Sequence, residues 1–230
     1  MTSVTEQLQA VQARMAAACA AAGRPADAVQ LLAVSKKFGP EAVAQAHAAG
    51  QRHFGENYIQ EGVDKILALR ALPGLVWHCI GPIQSNKTRL VAEHFDWVAS
   101  VDRAKIAERL SAQRPEGLAP LQILLQVNTD GGPTKSGVTP EGLIDLARAV
   151  MALPRLSLRG LMTIPDPVEG QAAQRALHQR AQVLFEQVRA ELAPPHWDTL
   201  SMGMSDDLEA AIAAGSTQVR VGTAIFGRRL

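Results

Sequence analysis

The chain has 230 residues, 47% of them hydrophobic and 20% charged, with a formal net charge of +1. Such a balance supplies a large apolar core and excludes disorder, while the near-neutral charge offers no long-range field to attract nucleic acid. The two cysteines, Cys19 and Cys79, lack metal-ligand spacing, so a reducing, cytoplasmic setting without a structural disulfide is expected.

Residues 1–6 carry no basic n-region, and no stretch reaches the length of a membrane span, so neither a secretion signal nor membrane insertion is expected. Val4, Leu8, Val11, Met15 and Ala22 recur mostly at three- and four-residue steps, predicting an N-terminal helix that Gly23 and Pro25 stop. Short apolar runs then predict strands at 31–35, 52–54, 76–80, 97–101, 121–127, 157–162, 197–202 and 218–222. Amphipathic helices are predicted between them, starting near Pro40, Glu56, Ser85, Arg103, Pro140, Gly170 and Ser205. The clearest helical period runs through Leu177, Ala181, Leu184, Val188 and Leu192.

Strands alternating with helices imply right-handed βαβ units and a parallel sheet. Eight of them predict an α/β fold, a (β/α)8 TIM barrel preceded by one extra helix, with a doubly wound open sheet as the alternative. No long linker or repeat interrupts the pattern, so residues 1–230 are expected to form one domain.

In a parallel barrel, chemistry gathers at the C-terminal strand ends. Lys36 ends strand one, where burial is expected to lower its pKa and free an amine for imine formation. Lys37 competes with it. Strand alternation puts Lys36 with Leu32 and Val34, the bulkier set that suits the barrel interior. The other reading of the two lysines is a solvated strand end. Residues 201–205 and 218–223 are Gly- and hydroxyl-bearing strand ends suited to a phosphate. Ser205 is predicted to cap a helix running through Leu208, Ala211 and Ile212 to Gly215. Asp206 and Asp207 suit that helix end but crowd an anion.

Arg220, entering the barrel mouth beside Gly222 and Thr223, must either pair with a carboxylate such as Glu56 or meet a ligand. An imine-forming lysine, a phosphate cup and an arginine for a ring nitrogen together point to pyridoxal phosphate. His78 reads as a satisfied core histidine, the other histidines have no ligand spacing, and no metal site is expected. Tyr58 is expected off the rim. Lys135-Ser136-Gly137 is either a loop able to reach the pocket or a turn.

Taken in order, Ala33-Val34-Ser35-Lys36, Phe54-Gly55-Glu56-Asn57, residues 78–87, Lys135-Ser136-Gly137, Gly160-Leu161-Met162, residues 201–207 and residues 219–227 carry a resemblance over nearly the whole chain. The sequence resembles the YggS/PROSC-like family of pyridoxal phosphate homeostasis proteins. The resemblance implies a barrel like that of alanine racemase (fold-type III) with pyridoxal 5'-phosphate as an internal aldimine on Lys36. It also implies a phosphate site of Ser201, Gly203, Ser205, Gly222 and Thr223, with Arg220 facing the pyridine nitrogen and Asn57 near the cofactor. Lys37 departs from the smaller polar residue frequent in the family.

The implied role is a non-catalytic cofactor binder serving vitamin B6 homeostasis and amino-acid metabolism, with PLP-dependent apo-enzymes as candidate recipients. A PLP-dependent racemase or decarboxylase is the alternative, and a Schiff-base aldolase on a phosphorylated sugar a third reading. Racemisation needs proton-transfer groups on both ring faces, and no second domain is evident after strand eight to supply them. Nothing demands a dimer, so a monomer is expected.

Overall fold

The computed structural model describes residues 3–132 and 136–227. The first helix, α1 (Val4–Ala21), is started by a capping box. Ser3 Oγ accepts from the Glu6 amide at 3.2 Å and the Glu6 carboxylate accepts from the Ser3 amide at 2.7 Å, satisfying donors that a helix N-terminus leaves free. Its buried stripe, including Leu8, Val11, Met15 and Cys19, lies against the body of the protein.

The repeating units follow as β1 (Gln30–Val34), α2 (Pro40–Ala48), β2 (His53–Glu56), α3 (Ile59–Ala68), β3 (Val76–Cys79), α4 (Thr88–His94), β4 (Trp97–Val101) and α5 (Ala104–Gln113). They continue as β5 (Leu121–Gln126), α6 (Leu143–Met151), β6 (Leu156–Met162), α7 (Gln171–Leu192), β7 (Thr199–Ser201), α8 (Leu208–Ala213), β8 (Gln218–Val221) and α9 (Thr223–Phe226). All strand pairs are parallel and run in sequence order. Pairing of Gln30 with Gln218 and of Ala33 with Val221 joins β1 to β8 and closes the barrel. The TIM-barrel expectation holds, with α1 as the extra helix.

Closure buries both faces of every strand. Leu32, Val34, Ile80, Ala99, Leu124 and Met162 form an interior cluster. The alternate residues, Leu31 and Ala33 among them, join the larger layer between barrel and helices. At the N-terminal end the interior turns polar. Gln218 Nε2 donates to Gln30 Oε1 (2.9 Å), Gln30 Nε2 meets His53 Nε2 (3.0 Å), and His53 Nδ1 meets His78 Nε2 (3.0 Å). His78 also stacks on Trp97 with centroids 5.1 Å apart, yet its buried Nδ1 has no partner among the described residues, so this core histidine is only half satisfied.

Four helices differ from the sequence expectation. α3 begins at Ile59 because Glu56 still belongs to β2. α7 buries Ala181 and Val188 as predicted, but His178 and Phe185 take the places expected of Leu177 and Leu184, and Leu177, Leu184 and Leu192 are half-buried at the edge. α8 begins at Leu208, after Ser205, and the single turn α9 was not predicted. Among the described residues no helix is long and apolar enough to cross a membrane. Both cysteines are buried and free.

Candidate functional site

A cavity of about 790 Å³ opens at the C-terminal mouth of the barrel, and Lys36, Asn57, Ser205, Arg220, Gly222 and Thr223 line it together. Ser201 and Gly203 are not among its lining residues. Both are buried and serve Arg220 instead: Ser201 Oγ accepts from Arg220 Nη1 (2.9 Å) and the Gly203 carbonyl accepts from the Arg220 amide (3.0 Å). A larger groove of about 990 Å³ between α1, α7 and α8 is lined largely by alanines and offers no lysine or hydroxyl. Lys135 lies outside the described residues.

The lysine pair sits on a turn. β1 ends at Val34, and the Phe38 amide donates to the Ser35 carbonyl (3.1 Å), closing a four-residue turn over Lys36 and Lys37. Lys37 takes a φ of +67°, a left-handed conformation costly for a residue with a Cβ. Both lysines are exposed and both line the cavity. The burial expected of Lys36 is therefore not found, because the strand stops two residues short of it and the turn lifts it to the rim.

Beneath the turn lies a polar network that sequence reasoning missed. Glu56 Oε1 accepts from Ser35 Oγ (2.5 Å) and from Lys65 Nζ (2.8 Å). Lys65, 4% exposed, also donates to the Ser35 carbonyl (2.8 Å) and to Glu61 Oε1 (2.7 Å). Glu61 Oε1 in turn accepts the Lys37 amide at 2.6 Å. Burial pushes the Glu56 carboxyl up, and the Lys65 and Ser35 hydrogen bonds pull it back. The signal available in the sequence was the Glu61–Lys65 spacing of four on a helix face.

Arg220 is 5% exposed. Besides Ser201 it donates to the Thr163 carbonyl (2.8 Å), tying β8 to β7 and to the end of β6. Burial lowers its pKa to about 10, with Asp207 opposing, so it stays cationic at neutral pH. The expected competitor does not reach it: Glu56 is committed to Lys65 and Ser35 on the α3 side. No ion pair of Arg220 occurs among the described residues. Its two side-chain bonds leave guanidinium donors over for a ligand.

On the Ser205 side the structure corrects the capping expectation. Asp207, not Ser205, precedes α8, and no side chain caps it. Asp207 Oδ1 accepts the Met204 amide (2.6 Å) and Oδ2 meets His178 Nε2 (2.8 Å), which fixes the loop that carries Ser205. α8 spans six residues and α9 four, too short to bring a developed helix dipole to the cavity. What they offer is the Ser205 and Thr223 side chains and the bare backbone of Gly222, where a Cβ would lie 3.1 Å from the Val34 carbonyl oxygen. Asn57 is seated against Gly81, where a Cβ would come within 2.1 Å of the Asn57 carbonyl oxygen. Among the described residues no cluster of three His, Cys, Asp or Glu could hold a metal.

The family model for the alanine racemase N-terminal domain matches residues 7–229. A pyridoxal phosphate homeostasis protein of Pseudomonas aeruginosa is 57% identical over 229 residues, covering all of this chain and 97% of the relative. The chain belongs to this family. PipY of Synechococcus elongatus, solved with PLP bound, is 37% identical with a TM-score of 0.83, covering 97% of this chain and 100% of PipY. Alanine racemase from Corynebacterium glutamicum shares the fold at 18% identity and a TM-score of 0.64, and there the match covers 61% of the racemase.

Within the family barrel, the cavity also takes residues that the sequence reading set aside. Tyr58, expected off the rim, lines the cavity at 52% exposure, because it is the last extended residue before α3. Ile164 and Met204, also solvent-exposed, join it at the mouth. Met204 lies within the 201–207 motif but was not singled out, and Tyr58 and Ile164 carry no motif signal; the meeting of three βα loops brings the three together.

Proposed function

We propose that this chain, as one barrel domain over residues 1–230, binds pyridoxal 5'-phosphate at the barrel mouth and serves its cytoplasmic supply without turnover. In this reading Lys36 presents its amine to the aldehyde and Arg220 faces the pyridine nitrogen. Ser205, Gly222 and Thr223 flank the phosphate, Asn57 borders the ring, and Ser201 and Gly203 support the site from beneath. When bound, the group supplies an electrophilic aldehyde carbon with which an amine condenses, releasing water.

The observation that carries the reading is Arg220, a buried cation with spare donors and no ion pair among the described residues, in the same cavity as Lys36. A donor-only guanidinium leaves a ring nitrogen unprotonated and so a weaker electron sink. The name of the Pseudomonas relative and the PLP in the PipY structure support the same cofactor. The open mouth supports exchange over catalysis, since Lys36, Tyr58 and Met204 are all solvent-accessible among the described residues. A monomer that hands the cofactor to PLP-requiring apo-enzymes fits these features.

The test is to titrate the protein with pyridoxal phosphate, record its absorption, reduce with borohydride and map the labelled peptide. The loaded protein is then mixed with a PLP-requiring apo-enzyme and, separately, with L-alanine. Label on Lys36, activation of the apo-enzyme and unchanged alanine are expected. Racemised alanine at enzymic rates would overturn the supply role, and absence of label would overturn binding.

A further inference from the structure

We infer that Lys65 and Glu61 are positioning residues that set the Lys36–Lys37 turn and thereby select Lys36 as the reactive amine. The inference rests on the cofactor reading above. Two adjacent lysines on an exposed turn have the same intrinsic chemistry, and both line the cavity. Something must therefore distinguish them, and the backbone does so. Lys65 is buried with all three ammonium protons used: on the Ser35 carbonyl before Lys36, on Glu56 and on Glu61. Glu61 holds the Lys37 amide after it. The peptides on either side of Lys36 are thus fixed from below by one α3 ion pair, which also holds Lys37 at its φ of +67°. Loss of these anchors lets Lys37 relax toward an ordinary backbone conformation and reorients both side chains.

The reacting step is addition of a neutral lysine Nζ to the aldehyde carbon, forming C=N and expelling the aldehyde oxygen as water. Borohydride then delivers hydride to that carbon and leaves a stable secondary amine.

Lys65→Met and Glu61→Ala are compared with the wild type for the rate of imine absorbance with pyridoxal phosphate, the lysine labelled after reduction, and the melting temperature. Glu61 is partly exposed, so its variant keeps the test alive should Lys65→Met fail to fold. Lys37→Gly is then added to Glu61→Ala, because glycine adopts the left-handed turn without an anchor.

In the wild type, label on Lys36 is expected. Both single variants should form the imine about tenfold more slowly, or divide the label with Lys37, as loss of a charge-assisted contact predicts. Lys37→Gly should restore the Glu61→Ala rate. Wild-type label on Lys36 with unchanged rate and labelling in both variants would overturn the positioning role while leaving the cofactor reading intact. Absence of wild-type label would overturn both.

Discussion

Arg220 Nη1 donates to Ser201 Oγ at 2.9 Å, so the last residue of β7 orients a guanidinium that β8 brings to the cavity. Ser201 is fully buried and does not line the cavity, and its influence on a ligand passes through Arg220. Removing the acceptor from a buried charged donor costs about 1.5–3 kcal/mol. Ser201→Ala is therefore expected to melt at a lower temperature and bind pyridoxal phosphate about tenfold more weakly, with labelling of Lys36 retained at saturation. Titration beside a thermal melt checks this. Equal affinity in both proteins would mean that the Thr163 carbonyl alone orients Arg220.

Lys36→Ala should lose the imine absorbance while keeping weaker binding through Arg220 and the Ser205–Thr223 side of the cavity. Lys36→Arg should behave alike, because a guanidinium keeps the charge but is a poor nucleophile at neutral pH. Spectra before and after borohydride distinguish the outcomes. An unaltered band in Lys36→Ala would assign the chemistry to Lys37, which shares the cavity.

Much of this architecture is written in local patterns. The strand at Trp97–Val101 and the strand starts at Val76, Leu121 and Gln218 were legible because short apolar runs bounded by turn residues report strands directly. The rim positions of Lys36, Asn57, Arg220 and Thr223 followed from the rule that barrel chemistry lies at strand ends. Three-dimensional details were not legible. Strand β1 ends before Lys36, so alternation alone could not tell that a turn exposes both lysines. Glu56 read as a rim carboxylate that could pair with Arg220, and Glu61 and Lys65 drew no reading, since only the fold brings Ser35 over α3. Ser201 read as a ligand contact because a hydroxyl at a strand end looks the same whether it faces the cavity or an arginine.

Gly203 has a φ of +93°, and a Cβ there would fall 2.4 Å from Ala211 Cβ, inside any normal contact. Its carbonyl also accepts the Arg220 amide, so backbone displacement would be felt at the cavity. Gly203→Ala is expected to destabilise the protein by about 2–4 kcal/mol, from positive-φ strain and overpacking together. Gly50→Ala is the control, because Gly50 has a φ of +100° with nothing within 4 Å of a Cβ. Denaturant midpoints of the two variants separate strain from contact. Equal losses would assign the whole effect to backbone strain.

The His53–His78 pair sets the expected acid response. Burial holds His78 well below its ordinary value of 6.5, and His53 beside it pushes the same way. His53 is itself lowered by burial. A histidine depressed in the folded state stays neutral while its unfolded counterpart takes up a proton, so the unfolded state binds more protons at acid pH. Stability is therefore full above about pH 6.5 and declines as pH falls below it, at a slope of at most about 1.4 kcal/mol per pH unit for each histidine that stays neutral in the fold. Replacing His78 with Gln keeps a polar group toward His53 and removes one proton-binding site from the unfolded chain. Urea midpoints at about pH 7.5 and about pH 5.5 should fall less steeply for His78→Gln than for the wild type, even if the variant is weaker at both. Parallel pH slopes in the two proteins would mean that His78 is not the group that carries the acid sensitivity.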